Sequence, residues 1–409
     1  MSTPWYKILG PGLLYAGAAI GVSHLVQSTR AGADFGYGLV WAIFLANILK
    51  YPFFQFGPRY AAVTGKSLLH GYSELGKWSI YLFLIITLVS MFIIQSAVTV
   101  VTAGIASEIS GMHIEPWLMS TLLLLVCVLI LIIGRYKWLD RSMKLIIVLL
   151  TLSTIIALIA SLTGNASKYE EHMVSFTFSN KNHMLFLIAL MGWMPAPFDL
   201  SVWHSLWTVE KIKEQPNISL KETLLDFNIG YWGTLVLALF FLALGATTLH
   251  GTGIQLEANG GKFANQLINI YTNNIGKWSY FVIAIAAFTT MLSTTLTCFD
   301  AQPRVIASVY KILNSNNNEN KLYWIWLIIL GLGVVIITAF FMINMKSLVD
   351  FATVVAFVSS PIIAILNYLV ITSKNFPEKF QPNLFLKILS WLGIIYFVVF
   401  SAYFIFITL

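Results

Sequence analysis

The sequence predicts an all-α protein that crosses a membrane many times within one domain. Hydrophobic residues make up 58% of the 409 residues and charged residues only 10%, whereas a soluble domain carries about 25% charged residues. The apolar residues form long runs, and two of these runs are interrupted by glycine and proline. This composition excludes an ordinary water-soluble enzyme, a disordered chain and a collagen-like chain.

Eleven runs are long enough to cross the hydrocarbon core of a bilayer, which takes about 20 mostly apolar residues. The loops between them are short and polar, so we expect one transmembrane domain over residues 1–409, surrounded by lipid. We number the runs as spans 1 to 11: Ile8–Ala31, Tyr37–Tyr60, Ile80–Ile105, Pro116–Ile133, Met143–Leu162, Met184–Trp207, Leu224–Leu249, Trp278–Val309, Tyr323–Ile343, Leu348–Ile371 and Leu384–Leu409.

The basic residues are distributed unequally between the two sides of these spans. With the N-terminus inside, 17 lysine and arginine residues fall on the inner side and 6 on the outer side, while Lys50 lies within span 2. Because cytoplasmic loops carry the excess of basic residues, we expect a cytoplasmic N-terminus, an outer C-terminus and insertion in a bacterial plasma (inner) membrane. The basic residues form no single patch, so no nucleic-acid partner is expected. Cys127 and Cys298 lie in apolar runs and indicate neither a disulfide framework nor a thiolate metal site.

Spans 1 and 6 are predicted to be broken in mid-membrane. Span 1 contains Gly21-Val22-Ser23-His24, and span 6 contains Met194-Pro195-Ala196-Pro197. Proline removes a backbone donor and clashes with the preceding turn. Backbone freed in this way is tolerated at bilayer depth only where it is buried in protein or lines a wet cavity. The alternative is that these residues only kink continuous helices. For Gly21 taken alone, a kink and a break are equally favoured.

The pairing of the two breaks favours a central site. Interrupted segments at matching places in two halves are typical of a transporter whose binding site lies between inverted repeats. The predicted repeats cover residues 8–162 and 184–371, and one extra helix covers 384–409.

Several motifs resemble those of the NRAMP (natural resistance-associated macrophage protein) divalent-metal transporters. The resemblance is carried by Gly10-Pro11-Gly12, by the stretch Arg30–Tyr37, by Thr64-Gly65-Lys66-Ser67-Leu68, by Met194-Pro195 and by His204-Ser205. It implies a leucine-transporter-type fold with a 5+5 inverted repeat. It also implies proton-coupled symport of Mn²⁺, Fe²⁺ or a similar ion. We expect a monomer with no resident cofactor.

The metal-binding motifs depart from the pattern of that family. The family has Asp-Pro-Gly-Asn where this sequence reads Gly21-Val22-Ser23-His24, so the carboxylate is missing and His24 replaces an asparagine ligand. The family's Met-Pro-His-Asn becomes Met194-Pro195-Ala196-Pro197, which keeps the thioether position. His204 matches a second histidine of span 6 that the family uses on its proton route. We therefore expect altered selectivity.

Asp199 is the predicted replacement for the missing carboxylate. An ionisable side chain at this depth costs at least ~2.5 kcal/mol, so it requires a partner or a role. As a cation ligand, Asp199 would complete a set with His24 and Met194 whose N, S and O donors suit a borderline-soft divalent ion. The alternative is a carboxylate that caps the second half of span 6.

The other ionisable residues in the spans also have alternatives. Lys50 would repel a divalent ion, and would instead neutralise Asp199 or attract an anionic substrate, unless it snorkels to a lipid headgroup. His24 and His204 suit proton coupling, or are buried neutral imidazoles. The predicted substrate-binding residues are Gly21, Ser23, His24, Met194, Ala196 and Asp199, with Lys50 and His204 for coupling or charge compensation.

Charged residues near the span ends are expected to be structural. Asp300 and Arg304 are four residues apart on span 8 and predict an ion pair. The same is expected of Arg30 and Asp34. Asp226 and Asp350 are interpreted as solvated or gate residues.

Two hypotheses for the function remain open. One is a cation importer with altered selectivity, and the other is the same scaffold carrying a small organic or anionic solute. An enzyme is not expected, because the sequence contains no Walker loop, no His-Glu-x-x-His helix and no nucleophile elbow. A receptor is disfavoured because no large soluble appendage is present.

Overall fold

The regular secondary structure of the described residues is helical. The structure is a computed structural model, and it describes residues 9–112, 114–133, 136–163, 173–314, 318–342 and 344–408. Lys7, Arg135 and Lys168, which belong to the basic residues counted above, lie outside these ranges. The α-helices are α1 Pro11–Ala19, α2 Thr29–Phe35, α3 Val40–Thr64, α4 Leu68–Leu75, α5 Lys77–Ser110, α6 Pro116–Ile132, α7 Tyr136–Thr163, α8 Lys181–Trp193, α9 Leu200–Glu214, α10 Leu220–Thr248, α11 Gly260–Ile275, α12 Tyr280–Leu313, α13 Glu319–Ile336, α14 Met345–Ile371 and α15 Leu384–Thr408.

Helices in the described ranges coincide with all eleven predicted spans, and six of them are long and apolar enough to cross a membrane. Pro116–Ile132 and Val148–Leu162 are apolar but shorter. The prediction of an all-α, multi-pass membrane protein is confirmed. The six long helices are Lys77–Ser110, Leu220–Thr248, Lys277–Leu313, Glu319–Phe341, Met345–Ile371 and Leu384–Phe406.

Spans 1 and 6 are both broken, as the sequence predicts. Span 1 consists of α1, a π-helical turn over Ser23–Ser28 and α2, and span 6 consists of α8 and α9. The halves of span 1 pack along α10, while the halves of span 6 pack on α3 and α14. This arrangement holds both breaks in the interior of the bundle.

Glycine contacts bring the backbones of spans 1 and 7 close together on either side of the first break. A Cβ added to Gly12 would lie 2.0 Å from the Asp226 oxygen, and one added to Gly32 would lie 1.9 Å from the Leu242 oxygen. Small residues at such positions let transmembrane helices approach closely. The position of the first break is therefore fixed from both sides.

Capping residues set the starts of α8 and α10. The Asn180 side chain accepts from the backbone N–H groups of Asn182 and His183. Ser219 and Glu222 form a reciprocal capping box at the start of α10. These caps fix where spans 6 and 7 begin, and hence which residues reach the middle of the bundle.

Candidate functional site

The break in span 1 exposes carbonyl oxygens that span 8 covers. Ile20 leaves the helical conformation with φ −75° and ψ 88°, and the π-helical turn begins at Ser23. The Thr294 hydroxyl lies 3.3 Å from the Gly17 oxygen and 3.2 Å from the Ile20 oxygen. Gly21 permits this approach, because a Cβ there would lie 2.8 Å from Thr294 Oγ1. A neutral hydroxyl therefore covers the first break.

His24 lies in the same segment and is fully buried. Its Nε2 is 3.0 Å from the Thr234 oxygen and its Nδ1 is 2.7 Å from Ser23 Oγ. Because a carbonyl oxygen only accepts, Nε2 carries the proton, and Nδ1 of the neutral ring accepts from Ser23. Both ring nitrogens are thus engaged with protein groups, as the buried-imidazole alternative predicts.

The break in span 6 begins at Met194, where the chain becomes extended, and ends where α9 starts at Leu200. Asp199 directly precedes α9 and is only 6% exposed. Within the described residues its carboxylate makes no capping hydrogen bond to the first turn of α9. The interpretation of Asp199 as a side-chain cap is therefore wrong, because no backbone N–H of that turn donates to the carboxylate.

Lys50 reaches this second break from α3. Its side chain is fully buried, and Nζ donates to the Gly192 oxygen at 2.7 Å and to the Ala196 oxygen at 3.2 Å. The ammonium also lies 5.2 Å from the centre of the Phe198 ring. Lys50 therefore faces the predicted site, and the snorkelling alternative is wrong.

One contact joins the two breaks directly. Ser23 Oγ lies 3.4 Å from the Pro195 oxygen, and it is also 2.9 Å from the Ala19 oxygen within its own segment. Spans 1 and 6 are thus interrupted at facing positions. This agrees with the expectation that the two breaks share a central region.

The predicted metal ligands are all buried, but no hydrogen bond or ion pair joins His24 to Asp199. Met194 is fully buried and Ala196 is 1% exposed at the second break. Among the described residues no three His, Cys, Asp or Glu side chains form a group that could hold a metal ion. The set of His24, Met194 and Asp199 would depend on the thioether as its third donor, and it stays a prediction.

His204, the predicted coupling residue, lies among aromatic rings. It is fully buried, and its ring centre is 5.6 Å from those of Tyr15 and Phe227. Neither of its nitrogens has a hydrogen-bond partner in the part of the chain that the structure describes. Burying a polar group without a partner costs free energy, so His204 calls for an explanation beyond packing.

Arg30 does not pair with Asp34 as predicted. It forms a bidentate pair with Asp350, with Nη1–Oδ1 at 2.6 Å and Nη2–Oδ2 at 3.3 Å, and Gln27 donates to the same carboxylate. The predicted pair was wrong because span 10 places Asp350, 320 positions away in the chain, at the guanidinium. Asp350 is thus paired, and it links spans 1 and 10.

Two further acidic residues are structural. Asp226 is 2% exposed and accepts from the N–H groups of Gly10 and Gly12, so its interpretation as a solvated residue is wrong. These N–H groups open α1, where a helix favours a negative charge. The predicted pair of Asp300 and Arg304 is confirmed at 2.6 Å.

Thr294 is one residue at the breaks that sequence reasoning missed. It belongs to the run Ser293-Thr294-Thr295 of span 8, which was not predicted as part of the site. Three successive hydroxyl residues inside an apolar span were the available signal. Hydroxyl groups at bilayer depth find acceptors on neighbouring helices.

Comparison with known proteins gives one family and several similar structures. Residues 12–407 match the family described as natural resistance-associated macrophage protein-like, Nramp. An uncharacterized protein of Pasteurella multocida (strain Pm70) is 35% identical over 403 residues, which cover 98% of this chain and 92% of the relative.

The similar solved structures agree in fold. A mutant of the Eremococcus coleocola manganese transporter has a TM-score of 0.73 and 14% identity, covering 98% of this chain and 88% of its own. MhsT in complex with L-phenylalanine has a TM-score of 0.63 and 16% identity, covering 96% and 98%. Mhp1, a nucleobase-cation-symport-1 family transporter, has a TM-score of 0.60 and 13% identity, covering 96% and 90%. The predicted leucine-transporter-type fold is confirmed.

Proposed function

This chain belongs to the Nramp family, and from that premise we propose that it is a secondary transporter of a metal cation such as Mn²⁺ or Fe²⁺. One observation carries the proposal. The carbonyl oxygens of Gly192 and Ala196, freed by the break in span 6, already hold a positive charge in the form of the Lys50 ammonium. Carbonyl ends of unwound transmembrane segments are natural ligands for cations.

The cargo would be bound between the two breaks by His24, Met194 and Asp199. The thioether of Met194 and the carboxylate of Asp199 belong to the buried break in span 6. The Nδ1 lone pair of His24 becomes free when Ser23 turns its proton to the Ala19 oxygen, which lies 2.9 Å away. This donor set differs from the family pattern, and it supports selectivity for softer divalent ions.

We further propose that uptake is inward, into the cytoplasm across the plasma membrane, and driven by protons. Basic residues are in excess on the side of the spans where the N-terminus lies, which supports a cytoplasmic N-terminus. His204 is the proposed proton carrier. A buried imidazole without a partner in the described residues gains one when water enters during the transport cycle.

Uptake of Mn²⁺ into proteoliposomes, with and without an inward proton gradient, tests this function. We expect Asp199→Asn to abolish uptake, because the substitution removes the ligand charge while keeping the side-chain shape. Glu74→Gln is the matched control, since Glu74 pairs with Lys66 at the surface and its loss leaves uptake unchanged. Full uptake by the Asp199 variant would reject the site.

The same assay examines proton coupling. His204→Ala is expected to remove the part of the uptake that depends on the gradient, whereas His70→Ala, on the short helix α4, leaves it intact. Uptake by the wild-type protein that ignores the gradient would reject coupling. Absence of flux for Mn²⁺, Fe²⁺ and Cd²⁺ would reject metal transport.

A second candidate function is transport of a small organic or anionic solute. It is favoured by the Lys50 ammonium at the break and by the missing carboxylate in residues 21–24. Thermal-shift screening against amino acids and small carboxylic acids would then give a ligand that stabilises the protein. Lys50→Ala would weaken that stabilisation, and no hit would exclude this candidate.

A further inference from the structure

The Lys50 side chain occupies the carbonyl oxygens that a cargo cation would use. Its two hydrogen bonds, at 2.7 Å and 3.2 Å, end on Gly192 and Ala196, which flank the extended segment of span 6. An ammonium group has three donors and no acceptor, so two of the three are spent on this break. Carbonyl oxygens are also typical ligands of hard metal cations.

The charges at the second break balance without a cargo. Lys50 and Asp199 supply one side chain of each sign at this break, both of them buried, and the Phe198 ring lies 5.2 Å from the Lys50 Nζ. At the first break the covering group is the neutral hydroxyl of Thr294. A divalent cation that entered while Lys50 stayed in place would therefore bring two uncompensated charges into the bundle, at high electrostatic cost.

We propose that Lys50 is a specificity-determining residue whose ammonium is a tethered competitor of the cargo. The cargo cation binds only when the Lys50 side chain leaves the oxygens of Gly192 and Ala196. Lys50 thereby weakens the binding of every divalent ion at this site. The ions that still bind are those whose bond to the Met194 thioether contributes the most binding free energy. The inference rests on the proposed transport of metal cations and names the residue that limits it.

Titration of the purified protein with Mn²⁺ by isothermal calorimetry tests the competition. Lys50→Met keeps the length of the side chain and removes its charge, while Lys50→Gln also keeps an amide donor for the carbonyl oxygens. We expect both variants to lower the Kd for Mn²⁺ by at least about tenfold, since the repulsion is gone. Lys50→Arg retains the charge and is expected to show no gain.

Lys66→Met is the matched control. Lys66 is exposed and pairs with Glu74 at the surface, so its loss changes the net charge by the same amount without touching the break. Its Kd for Mn²⁺ is expected to equal that of the wild-type protein. A gain of similar size in this control would mean that net charge, and not Lys50, limits binding, and would overturn the proposal.

Folding of the variants is checked by gel filtration and thermal unfolding, and Lys50→Gln serves if Lys50→Met does not fold. An unchanged or higher Kd in a folded neutral variant overturns the proposal.

A second measurement locates the ion. Anomalous scattering from Mn²⁺ beside the Gly192 and Ala196 oxygens is expected at a lower Mn²⁺ concentration in the neutral variant than in the wild-type protein.

The outcomes separate this inference from the proposed function. Metal flux in the wild-type protein with no gain in Lys50→Met leaves the function standing and rejects the competition. A gain of metal binding in Lys50→Met with no metal flux in the wild-type protein supports the competition and rejects the function. Absence of binding and flux in both proteins rejects both.

Discussion

In span 1 the carbonyl oxygens freed by the break face the Thr294 hydroxyl, whereas in span 6 they accept from the Lys50 ammonium. Both breaks create the same need, because backbone groups without partners are costly in the interior of a membrane protein. The first is met by a neutral group from span 8, and the second by a charged group from span 2. A neutral cover can only hold the backbone in place, whereas an ammonium also sets which charges the region accepts.

The glycines at the two breaks also differ, because one faces a side chain and the other faces backbone. A Cβ at Gly21 would meet the Thr294 side chain, with the nearest atom at 2.8 Å, whereas a Cβ at Gly192 would lie 2.1 Å from the backbone oxygen of Thr353. A side chain can rotate or be replaced, but the backbone of a packed helix cannot. The second break is therefore the more rigidly confined of the two.

Gly192→Ala is expected to have the largest effect, because the added methyl group would overlap the backbone of span 10. The cost should reach the upper end of the about 1–3 kcal/mol that overpacking typically costs, seen as a lower melting temperature and a poor yield of folded protein. Gly233→Ala is the matched control, since a Cβ there has open space among the described residues. Equal stability of the two variants would contradict the rigid confinement of the second break.

Gly21→Ala is expected to have a smaller effect that a second substitution relieves. Thr294 Oγ1 and Cγ2 would lie 2.8 Å and 2.9 Å from the new methyl group, and Thr294→Ala removes both atoms. We therefore expect a favourable coupling of about 0.5–3 kcal/mol in a double-mutant cycle of thermal unfolding. Additive effects of the two substitutions would show that Thr294 does not confine Gly21.

The positions of both breaks could be predicted from sequence because their causes are local. Pro195 and Pro197 remove donors wherever they stand, and Gly21 interrupts an apolar run at the matching place in span 1. The pair of Asp300 and Arg304 was predictable for the same reason, since four residues span one helical turn.

The partners of the charged residues could not be predicted, because packing of distant spans decides them. Arg30 pairs with Asp350, which lies 320 positions away, although Asp34 is four residues away. Lys50 reaches carbonyl oxygens that are 142 and 146 positions away. Neither periodicity nor spacing within a span specifies which faces of two helices meet. The central region was therefore predictable in place but not in its internal contacts.

Ser23→Ala is expected to have the smallest effect on stability, although Ser23 makes the direct contact between the breaks. Its 3.4 Å separation from the Pro195 oxygen is long for an O–H donor, so the cost in thermal unfolding comes from the buried His24 Nδ1, which loses its donor at 2.7 Å. We expect a cost of about 1 kcal/mol, at the low end of the range for a buried acceptor left unpaired. Ser28→Ala is the matched control, since its hydroxyl bonds only within the same segment, to the Ser23 oxygen at 3.2 Å. A cost as large as that of Gly192→Ala would mean that the breaks are held together through Ser23.

The same variant separates the structural and the ligand roles of His24. Removing the Ser23 hydroxyl leaves Nδ1 without the donor that lies 2.7 Å away, while Nε2 keeps the Thr234 oxygen. If His24 is a metal ligand, the lone pair is then free before the ion arrives, so Mn²⁺ binds more tightly in a calorimetric titration of Ser23→Ala than of the wild-type protein. Unchanged binding would assign His24 to the neutral scaffold of span 1. In that case the charge-selective contacts of the bundle would be confined to the break in span 6, which is the difference that Thr294 and Lys50 already display.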